Sequence, residues 1–266
     1  MRLYWEFLKN TFQTELTYRT NTVLNFVGQV ITIFIQVSIW RALLQSQGGA
    51  MVGATMVTFR NMVTYTIISS AISLFVSNEL IWIVDRKIRT GEIAMDLIKP
   101  INLKIQLLSQ TIGSIGSGVI IQLVPLLLIG AFGFGLATPT VENGLLFFIA
   151  VCNGLLINFL ICYLLGLSGF WWNRVRQFNT MLRVALRLFS GSFVPLWFFP
   201  KVLADLAMVL PFRLIYYTPI SIYMGKLSRT ESGWQILLQF LWIGSFLLVE
   251  HLMWNRAIRR LVIQGG

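Results

Sequence analysis

The sequence predicts an all-α polytopic membrane protein with six transmembrane helices. Three observations lead to that class. Of the 266 residues, 56% are hydrophobic and only 12% are charged, where a soluble domain carries roughly 25% charged residues. The mean hydropathy is +0.73. The apolar residues gather into six long runs, each close to the ~20 residues that a helix needs to cross hydrocarbon. So few charges cannot cover a water-soluble enzyme, and so apolar a chain does not stay disordered. Six spans and their loops leave no room for a soluble catalytic domain of any size.

The elements follow in chain order. Over residues 1–20, Trp5, Leu8, Phe12 and Leu16 recur at three- and four-residue steps, with Glu6, Lys9 and Arg19 elsewhere. That pattern predicts a helix lying in the membrane interface, with an ordinary cytosolic amphipathic helix as the alternative. Arg2, Glu6, Lys9, Glu15 and Arg19 interrupt this stretch, so it is not expected to be a cleavable signal peptide. The expected spans are Thr22–Leu44, Met62–Val84, Ile105–Leu128 with an extension towards Phe134, Leu145–Trp172, Phe178–Phe199 and Trp234–Trp254. Tryptophans at both ends of the last run suit an interfacial belt.

Orientation follows from the basic residues. With the N-terminus inside and six spans, 15 of the 21 Lys and Arg lie on the inner side and 6 on the outer. The positive-inside rule therefore places both termini in the cytosol. The same bias towards anionic inner-leaflet lipid explains the net charge of +11 without nucleic acid as a partner. Residues 200–232 do not fit a plain bundle. Pro200, Pro211 and Pro219 cut them into pieces of about ten residues, each ~15 Å long as a helix, half the ~30 Å of hydrocarbon. They read as a broken pair of re-entrant helices entering from the outer face. Non-helical backbone at that depth needs protein or a water-filled cavity beside it, so the segment either borders a pathway or forms a structural cap.

Between the second and third spans lies Asp85-Arg-Lys-Ile-Arg-Thr-Gly-Glu-Ile-Ala-Met-Asp-Leu-Ile-Lys-Pro100. Thr90 is suited to cap a short helix, Glu92 to its positive end, and Pro100 to follow its last turn. Ile93, Ala94, Leu97 and Ile98 would form one apolar stripe. A charged loop carrying a short, sticky helix is suited to docking on a soluble partner.

Within the membrane, Ser70, Ser73 and Ser77 recur at helical spacing on the second span. They read either as a moderately polar path or as close helix packing. Gly113, Gly116 and Ser117 on the third span favour packing. Arg187 would sit ~13 Å into the fifth span, where an arginine costs on the order of 2.5–3.5 kcal/mol. It should face a cavity, a carboxylate or a phosphate, or else snorkel to the inner headgroups. Glu79, Glu250 and His251 fall near the inner ends of their spans. Cys152 and Cys162 lie in one apolar run, ~15 Å apart if helical, too far for a disulfide. One histidine makes no metal cluster, and no nucleophile–base or carboxylate pair suggests catalysis.

Taken together, these features resemble the permease subunits of type-2 ATP-binding-cassette exporters. The resemblance rests on the N-terminal helix, the six spans, the loop "DRKIRTGEIAMDLIKPI", and "SGSFVPLWFFP" followed by "VLPFRLIYYTPIS" before the final span. It is nearest to short bacterial permeases that occur as pairs. It implies a single transmembrane permease domain over 1–266 in a bacterial inner membrane, with an interfacial helix (1–20), a cytosolic coupling loop (85–104) and a re-entrant outer segment (200–232). It implies that Asp85, Arg86, Arg89, Gly91, Glu92, Ile93, Leu97, Ile98 and Pro100 couple the chain to a cytosolic ATPase dimer. The second and fifth spans would line a path between two permeases, identical or paralogous, adding Ser190 and Ser192 to the path candidates Ser70, Ser73, Ser77 and Arg187.

The phosphate-cradling glycine–lysine loop of such ATPases is missing: Gly225-Lys226 is followed by Leu227. ATP and magnesium are therefore expected on the partner, with no cofactor on this chain. The expected activity is export of an amphipathic or hydrophobic molecule by alternating access. A self-sufficient secondary transporter or channel is the alternative, and a lipid-modifying membrane enzyme is a third class. Coupling carboxylates in mid-membrane would mark a secondary transporter; the carboxylates here fall near the interfaces.

Overall fold

The computed structural model describes residues 2–17, 19–44, 50–52, 55–98, 102–172 and 175–264. The helices are α1 (Arg2–Thr17), α2 (Arg19–Leu44), α3 (Phe59–Ser73), α4 (Glu79–Arg89), α5 (Glu92–Ile98), α6 (Leu103–Gly118), α7 (Val124–Phe134), α8 (Val141–Leu167), α9 (Val175–Phe189), α10 (Lys201–Val209), α11 (Tyr217–Tyr223) and α12 (Arg229–Gln264). A short antiparallel hairpin, β1 (Ala50–Val52) and β2 (Thr55–Val57), follows α2 and was not anticipated.

Four helical stretches are long and apolar enough to cross a membrane: Thr22–Leu44, Leu103–Phe134, Val141–Phe170 and Arg229–Arg259. α8 is the centre, with half of its apolar window buried against 11% for α2. It packs against α4, α9, α11 and α12. Among its described side chains α2 buries Ile33, Val37, Trp40 and Leu44, one stripe facing α3 and its neighbours, and exposes Leu24, Ile31, Phe34, Ile35 and Leu43. An apolar helix so exposed needs lipid or protein around it.

The third expected span is present as one stretch, with a π turn at Val119–Leu123 between α6 and α7. Pro125 follows at once. Its ring clashes with the carbonyl four residues back and it donates no N–H, so the helix widens by one turn rather than stopping. α1 packs along α6, where a Cβ at Gly113 would lie 2.4 Å from the Leu8 carbonyl oxygen. The small-residue face therefore seats α1.

The second expected span, 62–84, is two helices. α3 stops at Ser73, whose hydroxyl donates to the Ser70 carbonyl. The Ser77 hydroxyl accepts from the Glu79 N–H and starts α4, as short polar side chains do when they compete with the helix ladder. The freed Ser77 carbonyl accepts from Asn158 Nδ2 on α8 at 3.2 Å. The fifth expected span, 178–199, is also different. α9 begins earlier, at Val175, and ends at Phe189, a length of about 22 Å. Gly191 at φ +75 turns the chain, and the Ser190 carbonyl accepts from the Tyr217 N–H at 3.0 Å.

Prolines shape 200–223 as expected, with one difference. α10 and the stretch Pro211–Tyr223 meet at 75°, and Pro200 and Pro211 each stand at the start of an arm. Pro219 instead lies in the first turn of α11, where its missing N–H costs no helix bond. The arms are held by Arg213. Its Nε donates to the Met208 carbonyl at 3.0 Å and its Nη1 to Gln235 Oε1 at 2.7 Å. Gln239 on α12 donates to the carbonyls of Ala150 and Leu214. Nearby, Gly154 lets α8 approach the backbone of Leu214 and Ile215 within 3.1–3.3 Å of where its Cβ would lie.

Asn158→Leu should leave the Ser77 carbonyl with only the weak Cys162 thiol donor at 3.7 Å, at about 1–2 kcal/mol. The thermal midpoint of the purified chain should fall by about 5 °C. An unchanged midpoint would show that this bond does not hold the α3–α4 break. Gly113→Val should free α1 to limited proteolysis while leaving the midpoint of the remaining bundle nearly unchanged.

Candidate functional site

The loop after α4 is built from a helix end, a glycine turn and a short helix. Thr90 does not cap α5, as the sequence suggested; it terminates α4. Its N–H and hydroxyl both donate to the Arg86 carbonyl, at 2.9 and 3.0 Å. Gly91 follows at φ +76, the left-handed residue with which helices commonly end. α5 then runs back beside α4, and Lys87 Nζ donates to the buried Asp96 carboxylate at 2.7 Å. Glu92 is 3.9 Å from the same ammonium. Asp85 is buried; its Oδ2 accepts from Arg89 Nε at 2.9 Å. Its Oδ1 has no hydrogen-bond partner among the described residues.

The expected apolar stripe of α5 is divided. Ile93 is fully buried in this chain's own core, so it is not available to another protein. Met95, Leu97 and Ile98 are exposed by 63%, 39% and 79%. Arg86, Arg89, Gly91 and Glu92 are also exposed. Pro100 lies outside the described residues. Beside the turn, a cavity of 720 Å³ opens between α4 and the start of α9, lined by Trp82, Asp85, Arg86, Arg89, Thr90 and Arg176 among others.

The path candidates separate. Ser70 is buried, and Ser73 accepts from Gln29 Nε2 at 3.3 Å. Ser77 lies beyond the break and is exposed, so the three serines do not share one helical face. Ser190 is fully buried. It donates to the Leu186 carbonyl and accepts from the Ser192 N–H at 3.1 Å. The turn it forms docks on α3: Tyr65 donates to the Gly191 carbonyl and Ser69 to the Ser192 carbonyl, both at 2.5 Å. Arg187 is exposed on the outer surface of α9, as are Arg176 and Arg183.

Sequence reasoning missed Lys87, Asp96, Tyr65 and Ser69, and it missed the pair formed by Lys104 and Glu250. Lys104 Nζ donates to Glu250 Oε2 at 2.6 Å, tying the start of α6 to the C-terminal half of α12. Only Glu250's position near the end of a span hinted at a partner; the separation of 146 residues hid it. Lys104→Met should strand a nearly buried carboxylate and lower the thermal midpoint, and adding Glu250→Gln should restore most of the loss. Additive losses in the double variant would show that the pair carries no coupling.

The family model described as ABC-2 family transporter protein matches residues 22–265. No curated protein matches the chain. Four apolar helices of spanning length and a family match over almost the whole sequence give one conclusion: the chain is a multi-pass membrane subunit belonging to the ABC-2 transporter family.

Proposed function

We propose that this chain is the passive transmembrane half of an ATP-driven exporter. A separate cytosolic ATP-binding-cassette dimer holds ATP and magnesium. It grips the chain at the α4–α5 turn, and nucleotide-driven closure moves that turn. Two permease chains, identical or paralogous, form the path between them, and the cargo is amphipathic or hydrophobic. In this reading the chain crosses an inner membrane six times, with both termini cytosolic. The α3–α4 unit and α9 with its following turn are the two irregular crossings, and α10–α11 re-enters from outside.

The observation that carries the reading is the build of the α4–α5 turn. α5 is fixed to its own bundle by buried Ile93 and by the Lys87–Asp96 pair. It nevertheless presents Met95, Leu97 and Ile98 outwards. A short rigid helix with three exposed apolar groups, flanked by Arg86, Arg89 and Glu92, is suited to a groove in a soluble protein. The family match supplies the kind of protein, since ABC-2 membrane subunits associate with ABC ATPases. The turn after α9 meets α3 through Tyr65 and Ser69, and Arg187 lies exposed on α9 itself; in this reading the path between two permeases runs along these two elements.

Leu97→Asp with Ile98→Asp should reduce co-purification of the ATPase by about tenfold or more. The permease itself should stay monodisperse, because Ile98 is 79% exposed and Leu97 lies at the rim of an open cavity outside the core. Full ATPase retention would contradict the docking role. Ile93→Asp should instead prevent folding. Arg187→Leu should slow ATP-dependent transport with little effect on assembly, and wild-type transport by that variant would remove Arg187 from the path. Transport by the purified chain down an ion gradient without the ATPase would overturn the whole reading.

A further inference from the structure

We propose that the cavity between α4 and α9 receives the phosphate-class headgroup of an anionic amphipathic molecule, which then follows the exposed side of α9. The proposal deepens the transport reading by naming the chemistry of the cargo, and it rests on that reading only for the direction of movement.

The cavity wall carries three arginines, Arg86, Arg89 and Arg176, against one carboxylate, Asp85. That carboxylate is already taken by Arg89. Arg86 and Arg176 have no carboxylate partner among the described residues, so the lining keeps an excess of positive charge. Guanidinium groups meet phosphate oxygens with paired, fork-like hydrogen bonds, and a concave wall raises their effect. Trp82, 40% exposed, forms part of the same wall. An indole beside arginines suits the junction between a charged head and an apolar body.

The cavity opens at the foot of a track. Arg176, Arg183 and Arg187 are exposed and fall within about 40° of one another around α9, over about 16 Å. Met181, Val184 and Leu188 are exposed beside them in a second strip. Val175, Asn179, Leu182 and Leu186 form the buried side. The free side of α9 is therefore cationic along one line and, beyond Gln177 at the cavity, apolar along the next, complementary to a molecule with one anionic and one apolar part. A soluble acidic protein would match the arginines but not the parallel apolar strip.

The test uses the purified full-length chain in neutral detergent at low ionic strength, with no ATPase present. The probes are fluorescent short-chain phosphatidic acid and matched phosphatidylcholine, followed by anisotropy. Phosphatidic acid should bind about tenfold tighter or better, Arg86→Gln with Arg176→Gln should remove about that factor, and Arg86→Lys with Arg176→Lys should retain part of it. Size-exclusion profiles should not change. Equal binding of the two lipids, or no effect of the glutamine pair, would overturn the proposal. Inorganic phosphate should compete only far above the lipid concentration; competition at matching concentration would overturn the amphipathic assignment in favour of a soluble anion. A glutamine pair that loses the ATPase but keeps lipid binding would overturn it as well, assigning the arginines to the partner. Lipid binding that persists when wild-type chain fails to hold any ATPase would sink the transport reading alone.

Discussion

Backbone polar groups have no water to turn to in hydrocarbon, and this chain breaks its helices several times where apolar residues surround it. Three of these breaks are paired with side-chain donors. Asn158 of α8 serves the Ser77 carbonyl at the α3–α4 break. Tyr65 and Ser69 of α3 serve Gly191 and Ser192 at the end of α9. Gln239 of α12 serves Leu214, and Arg213 serves Met208, at the bend between α10 and α11. An unpaired carbonyl in such a place would cost several kcal/mol, so these few side chains decide where irregular backbone is allowed.

The pairings also connect the ends of the molecule. α4 is packed on α8 closely enough that a Cβ at Gly166 would fall 2.7 Å from the Val84 Cβ. One at Gly169 would fall 2.9 Å from Asp85 Oδ1. α3 meets α9 through the Gly191 turn, and that turn meets α11 through Ser190 and Tyr217. In the proposed mechanism a push on α5 reaches α4 through the Lys87–Asp96 pair, and α4 moves relative to α3 about the non-helical join at residues 74–78. The break is thus both a packing problem solved by Asn158 and the natural hinge of the proposed motion.

Much of this was legible in the sequence because it depends on composition and local chemistry. Four spanning-length helices, the proline-cut stretch 200–223 and the short helix after α4 each follow from apolar run length or from proline and glycine. What the sequence hid depends on distant partners. Ile72-Ser73-Leu74-Phe75-Val76 reads as unbroken apolar helix, and the partners that satisfy a break there, Asn158 and Cys162 on α8, lie more than 80 residues away. Thr90 looks like an N-cap because Glu92 follows, yet Gly91 in the left-handed region makes it the end of α4 instead. Ile93 shares a helical stripe with Leu97, but the packing of α5 on its own bundle buries one and exposes the other.

The central claim is that the α4–α5 turn meets a soluble ATPase on the cytosolic side. Cysteine cross-linking from position 98 tests it most directly, with Ile98→Cys placed in a Cys152→Ser background and the chain kept in native membranes. A short cross-linker should join this position to the ATPase, while an impermeant thiol reagent added outside should leave it unmodified. Modification from outside, or no cross-link to any ATPase, would contradict the account.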